Sequence, residues 1–173
     1  MSRIDYDLAS IDGVVFDMDG VLSASTVAVR EDGTLQRHSN VKDGYAIQYA
    51  IRCGIRIAVI SGARDLSMLP AYRSLGIEDV HFHVVHKKTM LEEWMAARGL
   101  TPDKVAYVGD DIPDIPAMRM VGLPCAPRDA SVEAKAEARY ISPCCGGQGV
   151  ARDILSQILS ARGEWMGEKA FEW

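Results

Sequence analysis

Short, continuous apolar runs alternate along this chain with longer stretches in which apolar residues return at helical spacing. Residues 14–16, 55–60, 80–85, 105–108, 123–126 and 140–141 are runs of the first kind and read as strands. Between them, residues 42–52, 67–75, 87–98, 113–121, 131–138 and 150–161 read as helices. Ala46, Ile47, Ala50 and Ile51 share one face of the first helix, and Leu91, Trp94 and Met95 turn inward from the third. Gly54 closes the first helix as a left-handed cap, and Gly76, Gly99 and Gly122 stop the next three. Pro70 fits the second helix only in its first turn, where a missing N–H costs nothing. Strands alternating with helices imply parallel βαβ units, so the pattern predicts an α/β fold, a doubly wound, Rossmann-like parallel sheet. One segment breaks the alternation. Residues 26–30 and 35–39 flank Asp32-Gly33, a strong hairpin signal, and a β-hairpin over about 25–40 is expected as an insertion after the first strand. Residues 1–173 read as a single domain with a carboxyl-terminal tail over about 162–173.

Composition narrows the classes of partner. The chain has 173 residues, 48% hydrophobic and 25% charged, with a net charge of −5, which is ordinary for a globular domain. No run of Lys or Arg offers a nucleic-acid or anionic-membrane surface. A phosphorylated substrate remains compatible, because a bound cation reverses the local sign. No stretch approaches the roughly 18–20 apolar residues of a membrane span, and the first residues lack a signal-like apolar core; a cytoplasmic protein is expected. Cys53, Cys125 and the neighbours Cys144 and Cys145 show no C-x-x-C spacing, so buried or incidental thiols are expected rather than a zinc site.

The chemistry concentrates where strands end. In an open parallel sheet, ligands bind beyond the carboxyl ends of the strands. The run 14–16 leads into Asp17-Met18-Asp19-Gly20, two carboxylates one residue apart, which alternation along a strand aims the same way. The run 105–108 leads into Gly109-Asp110-Asp111, with Asp114 shortly after. The strands between supply Ser61-Gly62-Ala63-Arg64 and His86-Lys87-Lys88. Together these are a nucleophile, an acid/base, phosphate donors and carboxylates for a hard cation, the parts of phosphoryl transfer through an aspartyl-phosphate. Each part alone has a plainer reading. A D-x-D is also a turn signal, Ser61-Gly62 a helix-entry pair, and Lys87 a surface lysine. Asp111 and Asp114 could cap the next helix, and His81, His83 and His86 read as strand-edge histidines rather than a metal cluster. A phospho-receiver module shares an aspartate, a hydroxyl and a lysine on a parallel sheet, but there the acidic pair follows the first strand and the phosphorylated aspartate a middle one.

In order and placement, these four motifs resemble the haloacid dehalogenase superfamily of phosphatases, with its D-x-D-G, S/T-G, K and G-D-D-x-x-D. The resemblance implies Asp17 as nucleophile, Asp19 as acid and then base, and Ser61 and Lys87 as holders of the transferring phosphoryl group. It also implies Mg²⁺ on Asp17, the Asp19 carbonyl and Asp110, supported by Asp111 and Asp114. Lys87 is preferred to Lys88 because it opens its helix at the strand end. The spacings between motifs leave no room for a cap domain, and a capless enzyme must close its site by other means, a neighbouring subunit being the obvious one. Asn40-Val41-Lys42-Asp43-Gly44-Tyr45 and Gly146-Gly147-Gln148-Gly149-Val150-Ala151-Arg152 further resemble the 3-deoxy-D-manno-octulosonate 8-phosphate phosphatases. That family implies substrate contacts from Gly62, Arg64 and Arg152, a homotetramer joined by the hairpins, and a tail reaching an adjacent active site. Here the arginine of the second motif falls one place later than in many members. The nearest alternative substrate is a nononate 9-phosphate of the sialic-acid branch. Trp165 and Trp173 in the polar tail are expected to bury against a surface, assigned to a partner subunit.

Overall fold

The computed structural model describes residues 4–172. Six strands form one parallel sheet in the order β5-β4-β1-β6-β7-β8: β1 (Gly13–Phe16), β4 (Arg56–Ile60), β5 (Asp79–His81), β6 (Val105–Val108), β7 (Leu123–Ala126) and β8 (Tyr140–Ile141). β1 lies at the centre, with Phe16 level with Val59 on one side and Val108 on the other. Strand alternation divides the apolar residues between two cores. Val14, Phe16, Ile57, Val59, Ala106 and Val108 face one layer, which includes α1 (Val41–Arg52) and α6 (Val150–Ala161). Val15, Ala58, Ile60, Val105 and Tyr107 face the other, built on α3 (Lys87–Arg98), α4 (Ile115–Met118) and α5 (Val132–Glu137). Burial on both faces is why these strands are continuous apolar runs, each large aliphatic side chain contributing ~1.5–3 kcal/mol. Only α2 (Leu69–Ser74), with Pro70 in its first turn, intervenes between β4 and β5, so no cap domain is inserted there. Among the described residues no helix is long and apolar enough to cross a membrane.

The hairpin is present but small. β2 (Ala28–Val29) and β3 (Leu35–Gln36) pair antiparallel over two residues each, around a turn closed by Arg30 and Thr34. Gly33 takes φ +81 in that turn, the left-handed conformation that the Asp-Gly signal anticipates. A two-stranded ribbon with no covered face extends no further on its own.

Three other elements differ from expectation. β5 stops at His81 instead of continuing to residue 85, because His83 turns to φ +59 and its N–H bonds the Ala63 carbonyl. His83 and His86 therefore lie beyond the strand and are not the strand-edge histidines expected. The stretch 113–121 is a 3₁₀ turn, Ile112–Asp114, followed by the single-turn α4. Pro116 has no N–H to continue a helix begun at Pro113, so a new first turn starts there. The tail folds back on its own chain: the Tyr45 and Tyr49 hydroxyls donate to the carbonyls of Ala170 and Glu164, and the Trp165 ring lies 5.7 Å from Tyr49. The surface expected from a partner subunit is thus supplied to Trp165 by α1 of the same protomer. Trp173 lies outside the described residues.

Candidate active site

The backbone carries β1 one residue beyond its last strand position, with the Asp17 N–H donating to the Val108 carbonyl at 3.0 Å. Met18 drops into the core, fully buried. Gly20, at φ +86, then closes a tight turn in which the N–H of Ser23 returns to the Met18 carbonyl at 2.9 Å. A Cβ on Gly20 would collide with the Asp110 carboxylate, so glycine is required both by the turn and by the close approach of the two acidic strand ends. The loop 146–149 packs backbone to backbone against this turn. A Cβ on Gly146 would strike the Gly20 carbonyl, and the Gly147 N–H donates to Val21 O at 2.9 Å. Asn40 caps α1 and also holds the Gly147 carbonyl at 3.1 Å, while buried Asp43 accepts from the N–H groups of Gly149 and Arg152 at the start of α6. The glycines of that loop therefore serve close packing.

Asp17, Asp19, Lys87, Asp110, Asp111 and Asp114 line one cavity of about 320 Å³ beyond the sheet, with Ser25 and Pro113. The Lys87 ammonium, 7% exposed, sits 2.8 Å from Asp17 Oδ1 and 2.7 Å from Asp114 Oδ1. Asp114 is saturated. Its Oδ1 accepts from Lys87 and from the Tyr107 hydroxyl at 2.8 Å, and its Oδ2 from the N–H groups of Asp110 and Asp111 at 3.2 and 3.3 Å. Four acceptor sites are all that a carboxylate offers, so Asp114 fixes the lysine and the 110–111 backbone.

Electrostatics follow from this crowding. Burial and then the Asp114 charge push Asp17 up to about 8, against the pull of Lys87. The same two causes push Asp110 up to about 7. Burial alone would lower Lys87, but Asp17 and Asp114 outweigh it and hold the ammonium above its ordinary value. Burial, then Asp114, raises the Tyr107 phenol, which stays a donor. Asp17, Asp110 and Asp114 bring carboxylate oxygens within 4.8 Å of one another. Three carboxylates against one ammonium leave a formal charge of −3 + 1 = −2, which a divalent hard cation matches. The donor set therefore fits Mg²⁺, to which Asp17 and Asp110 could offer side-chain oxygens, whereas the acceptor sites of Asp114 are already filled.

The other expected residues are placed less uniformly. Ser61, 2% exposed, directly follows β4 with its Oγ accepting from the Ala63 N–H at 3.2 Å, which leaves the hydroxyl proton to donate. Gly62 and Arg64 follow it in the loop, where the Arg64 carbonyl lies 2.7 Å from His83 Nε2. Arg152 does not join the carboxylate cavity. Its guanidinium lies 4.6 Å from the Trp165 ring and 5.2 Å from Tyr45, beside a second cavity lined by Asn40, Lys42, Cys144 and Gln148. Arg152, for which a substrate contact is expected, thus does not line this chain's own carboxylate cavity.

Sequence reasoning missed Tyr107, Ser23, Ser25 and Arg37. Tyr107 carried a signal, since a phenol in a doubly buried strand needs a polar partner. Arg37 carried none: it follows β3, yet its guanidinium forks onto Asp19 (Nε to Oδ1 2.7 Å, Nη2 to Oδ2 2.9 Å) and reaches Asp65 at 2.9 Å.

A parallel sheet with an acidic pair after its central strand and a buried lysine between two carboxylates has the framework of a phosphoryl-transfer hydrolase. The chain belongs to the haloacid dehalogenase-like hydrolases, whose family model matches residues 23–122. Among curated relatives, the 3-deoxy-D-manno-octulosonate 8-phosphate phosphatase KdsC of Escherichia coli strain K12 is 32% identical over 151 residues, covering 87% of this chain and 80% of that protein. The crystal structure of the phosphatase of that name from Yersinia pestis superposes with a TM-score of 0.90 at 32% identity, over 93% of this chain and 87% of that one. The Moraxella catarrhalis enzyme, crystallised with magnesium ion, phosphate ion and a KDO molecule, gives 0.88 at 28% identity, over 92% and 91%.

Proposed function

We infer that this protein is a capless, Mg²⁺-dependent phosphomonoesterase that hydrolyses 3-deoxy-D-manno-octulosonate 8-phosphate to the free sugar acid and phosphate, in the synthesis of lipopolysaccharide precursors. One observation carries the chemistry: Asp17 and Asp19, one residue apart, occupy opposite environments, one buried against Lys87 and one 35% exposed under an arginine fork. The substrate assignment is supported by the similarity to phosphatases of that name across most of the chain.

In this mechanism an Asp17 oxygen attacks phosphorus and the bond from phosphorus to the sugar oxygen breaks. Asp19 gives its proton to that departing oxygen. A water then loses a proton to Asp19 and attacks the phosphoryl group, releasing phosphate and restoring Asp17. Lys87 and the Ser61 hydroxyl donate to the phosphoryl oxygens. Asp17, Asp110 and the Asp19 carbonyl would hold Mg²⁺, which supplies charge neutralisation to a dianionic phosphate approaching carboxylates. Asp111 and Asp114 support that shell, and Gly62 and Arg64 extend the site toward the sugar acid.

The working unit is a single domain, 1–173. A homotetramer belongs to the same proposal, supported by the exposed hairpin, where Val29 is 70% accessible. The tail's outward Met166 and Phe171, 63% and 75% exposed, are its side chains available to a neighbouring subunit near that subunit's site. A cytoplasmic location is supported by four free thiols. The test is Mg²⁺-dependent phosphate release from the eight-carbon ester beside the nononate 9-phosphate. A preference of more than about tenfold in kcat/KM for the eight-carbon ester, ~1.4 kcal/mol, is expected. Equal or reversed preference would move the protein to the sialic-acid branch.

A further inference from the structure

The hairpin inserted after β1 does more than extend the surface. The residue just after β3 is Arg37, whose side chain is 2% exposed although it belongs to an otherwise open ribbon. Nε and Nη2 fork onto the two oxygens of Asp19, and Nη1 donates to Asp65 Oδ2 at 2.9 Å. Asp65 is itself fixed, accepting from the Ser67 N–H at 2.8 Å and the Ser67 hydroxyl at 3.0 Å. A chain of bonds thus runs from the loop after β4, through the hairpin arginine, to the acid/base carboxylate. A forked, charge-assisted pair of this kind fixes the plane of a carboxylate as well as its position.

The pattern on Asp19 distinguishes its two oxygens. Oδ1 accepts from Arg37 Nε and, at 2.9 Å, from the Ser23 hydroxyl, while among the described residues Oδ2 accepts only from Arg37 Nη2. Two acceptor sites per oxygen leave Oδ1 filled and one site open on Oδ2. We propose that Arg37 is a positioning residue for the reaction, holding Asp19 so that Oδ2 is the oxygen that gives and takes the proton, with Asp65 as the anchor of Arg37. Asp65 and Arg37 touch neither the nucleophile nor its lysine. They act through Asp19.

This rests on the phosphatase reading, in which Asp19 protonates the leaving oxygen. Losing that proton harms a poor leaving group far more than a good one, with general acid catalysis contributing about 10²–10⁴-fold. The test compares kcat/KM for phenyl phosphate and p-nitrophenyl phosphate, two aryl esters of similar bulk that carry no carboxylate. In Arg37→Ala the phenyl ester is expected to lose at least about tenfold more than the nitrophenyl ester. Arg37→Lys keeps a charge without the fork and should recover part of the loss, and Asp65→Asn should move the ratio the same way by less. Circular dichroism and the thermal midpoint establish folding, and if Arg37→Ala does not fold, the other two variants decide. Equal losses on both esters, or none, would overturn the proposal. A loss confined to the sugar-acid phosphate would also overturn it, by making Arg37 a substrate contact. A wild-type enzyme that hydrolyses both aryl esters but rejects the eight-carbon ester would remove the substrate assignment and leave this test intact.

Discussion

Asp17 and Asp19 leave the same strand end, yet the molecule treats them oppositely. Asp17 is 6% exposed and belongs to the sheet: its partners are Lys87 at the start of α3 and, through that lysine, Asp114 beyond β6. Asp19 is held by elements outside the sheet, by Ser23 in the turn and Arg37 from the hairpin. Burial and a neighbouring carboxylate push Asp17 upward, toward demand for a cation. Two residues later an arginine fork and partial exposure meet Asp19. In the proposed mechanism the nucleophile thus takes its environment from the fold, while the acid/base depends on an insertion that the fold does not require. Two carboxylates with separated environments are also how one site divides acid and nucleophile roles.

The largest expected effect falls on the sheet side. Asp17→Asn keeps volume and shape but removes the attacking oxygen, so turnover should fall by about 10³-fold or more on every ester tested. The folded state should persist, because the amide removes one negative charge from a crowded acidic cluster. Near-normal phosphate release by this variant would break the contrast, since Asp17 would then be no more than a ligand or a structural residue.

A smaller effect should appear in how the metal stabilises the protein. Asp17 and Asp110 are pushed up to about 8 and about 7, above their ordinary values near 4. Without metal the folded state binds more protons than the unfolded one, so these groups contribute stability that is fully present below about pH 4. That contribution is lost as pH rises through about 7 to 8. Mg²⁺ competes with those protons for the same oxygens, and its stabilisation should grow across that window. Thermal unfolding in excess Mg²⁺ and in chelator measures the difference. At a hundredfold excess over Kd the gain is about 2.7 kcal/mol, several degrees for a chain of this size, and should be larger near pH 8 than near pH 5.5. An increment independent of pH would mean that the cation binds elsewhere.

The same division explains what could be read from the sequence. Strands buried on both faces announce themselves as apolar runs, and the residues next to each run stand at the sheet's carboxyl edge. Asp17, Ser61, Lys87 and Asp110 were legible for that reason. The extent of β5 was not: Val84 and Val85 continue the apolar run although the ladder has ended and Val85 is exposed. Arg37 was illegible because its pairing spans 18 residues to Asp19 and 28 to Asp65, with no periodicity to link them. An aromatic in a polar tail predicts a surface to bury against, but only tertiary packing shows that α1 of the same protomer supplies one to Trp165. The glycines at 146 and 147 were visible, whereas the Gly20 and Val21 backbone they pack against was not.

The smallest effect is expected one residue from one of the largest charges in the site. Lys87 and Lys88 are identical in type and adjacent, but successive residues on a helix point about 100° apart. Only one can face the strand ends. Lys87 does so and pairs with two carboxylates, whereas Lys88 is 55% exposed and lies 3.7 Å from Glu92 one turn along. An exposed pair of that kind contributes at most a few tenths of a kcal/mol. Lys88→Ala should therefore leave kcat/KM within about twofold and stability within ~0.5 kcal/mol, as steady-state kinetics and urea unfolding would record. A marked loss of activity in Lys88→Ala would mean that the helix presents its other lysine to the phosphoryl group, and that Lys87 serves chiefly to hold Asp114 in place.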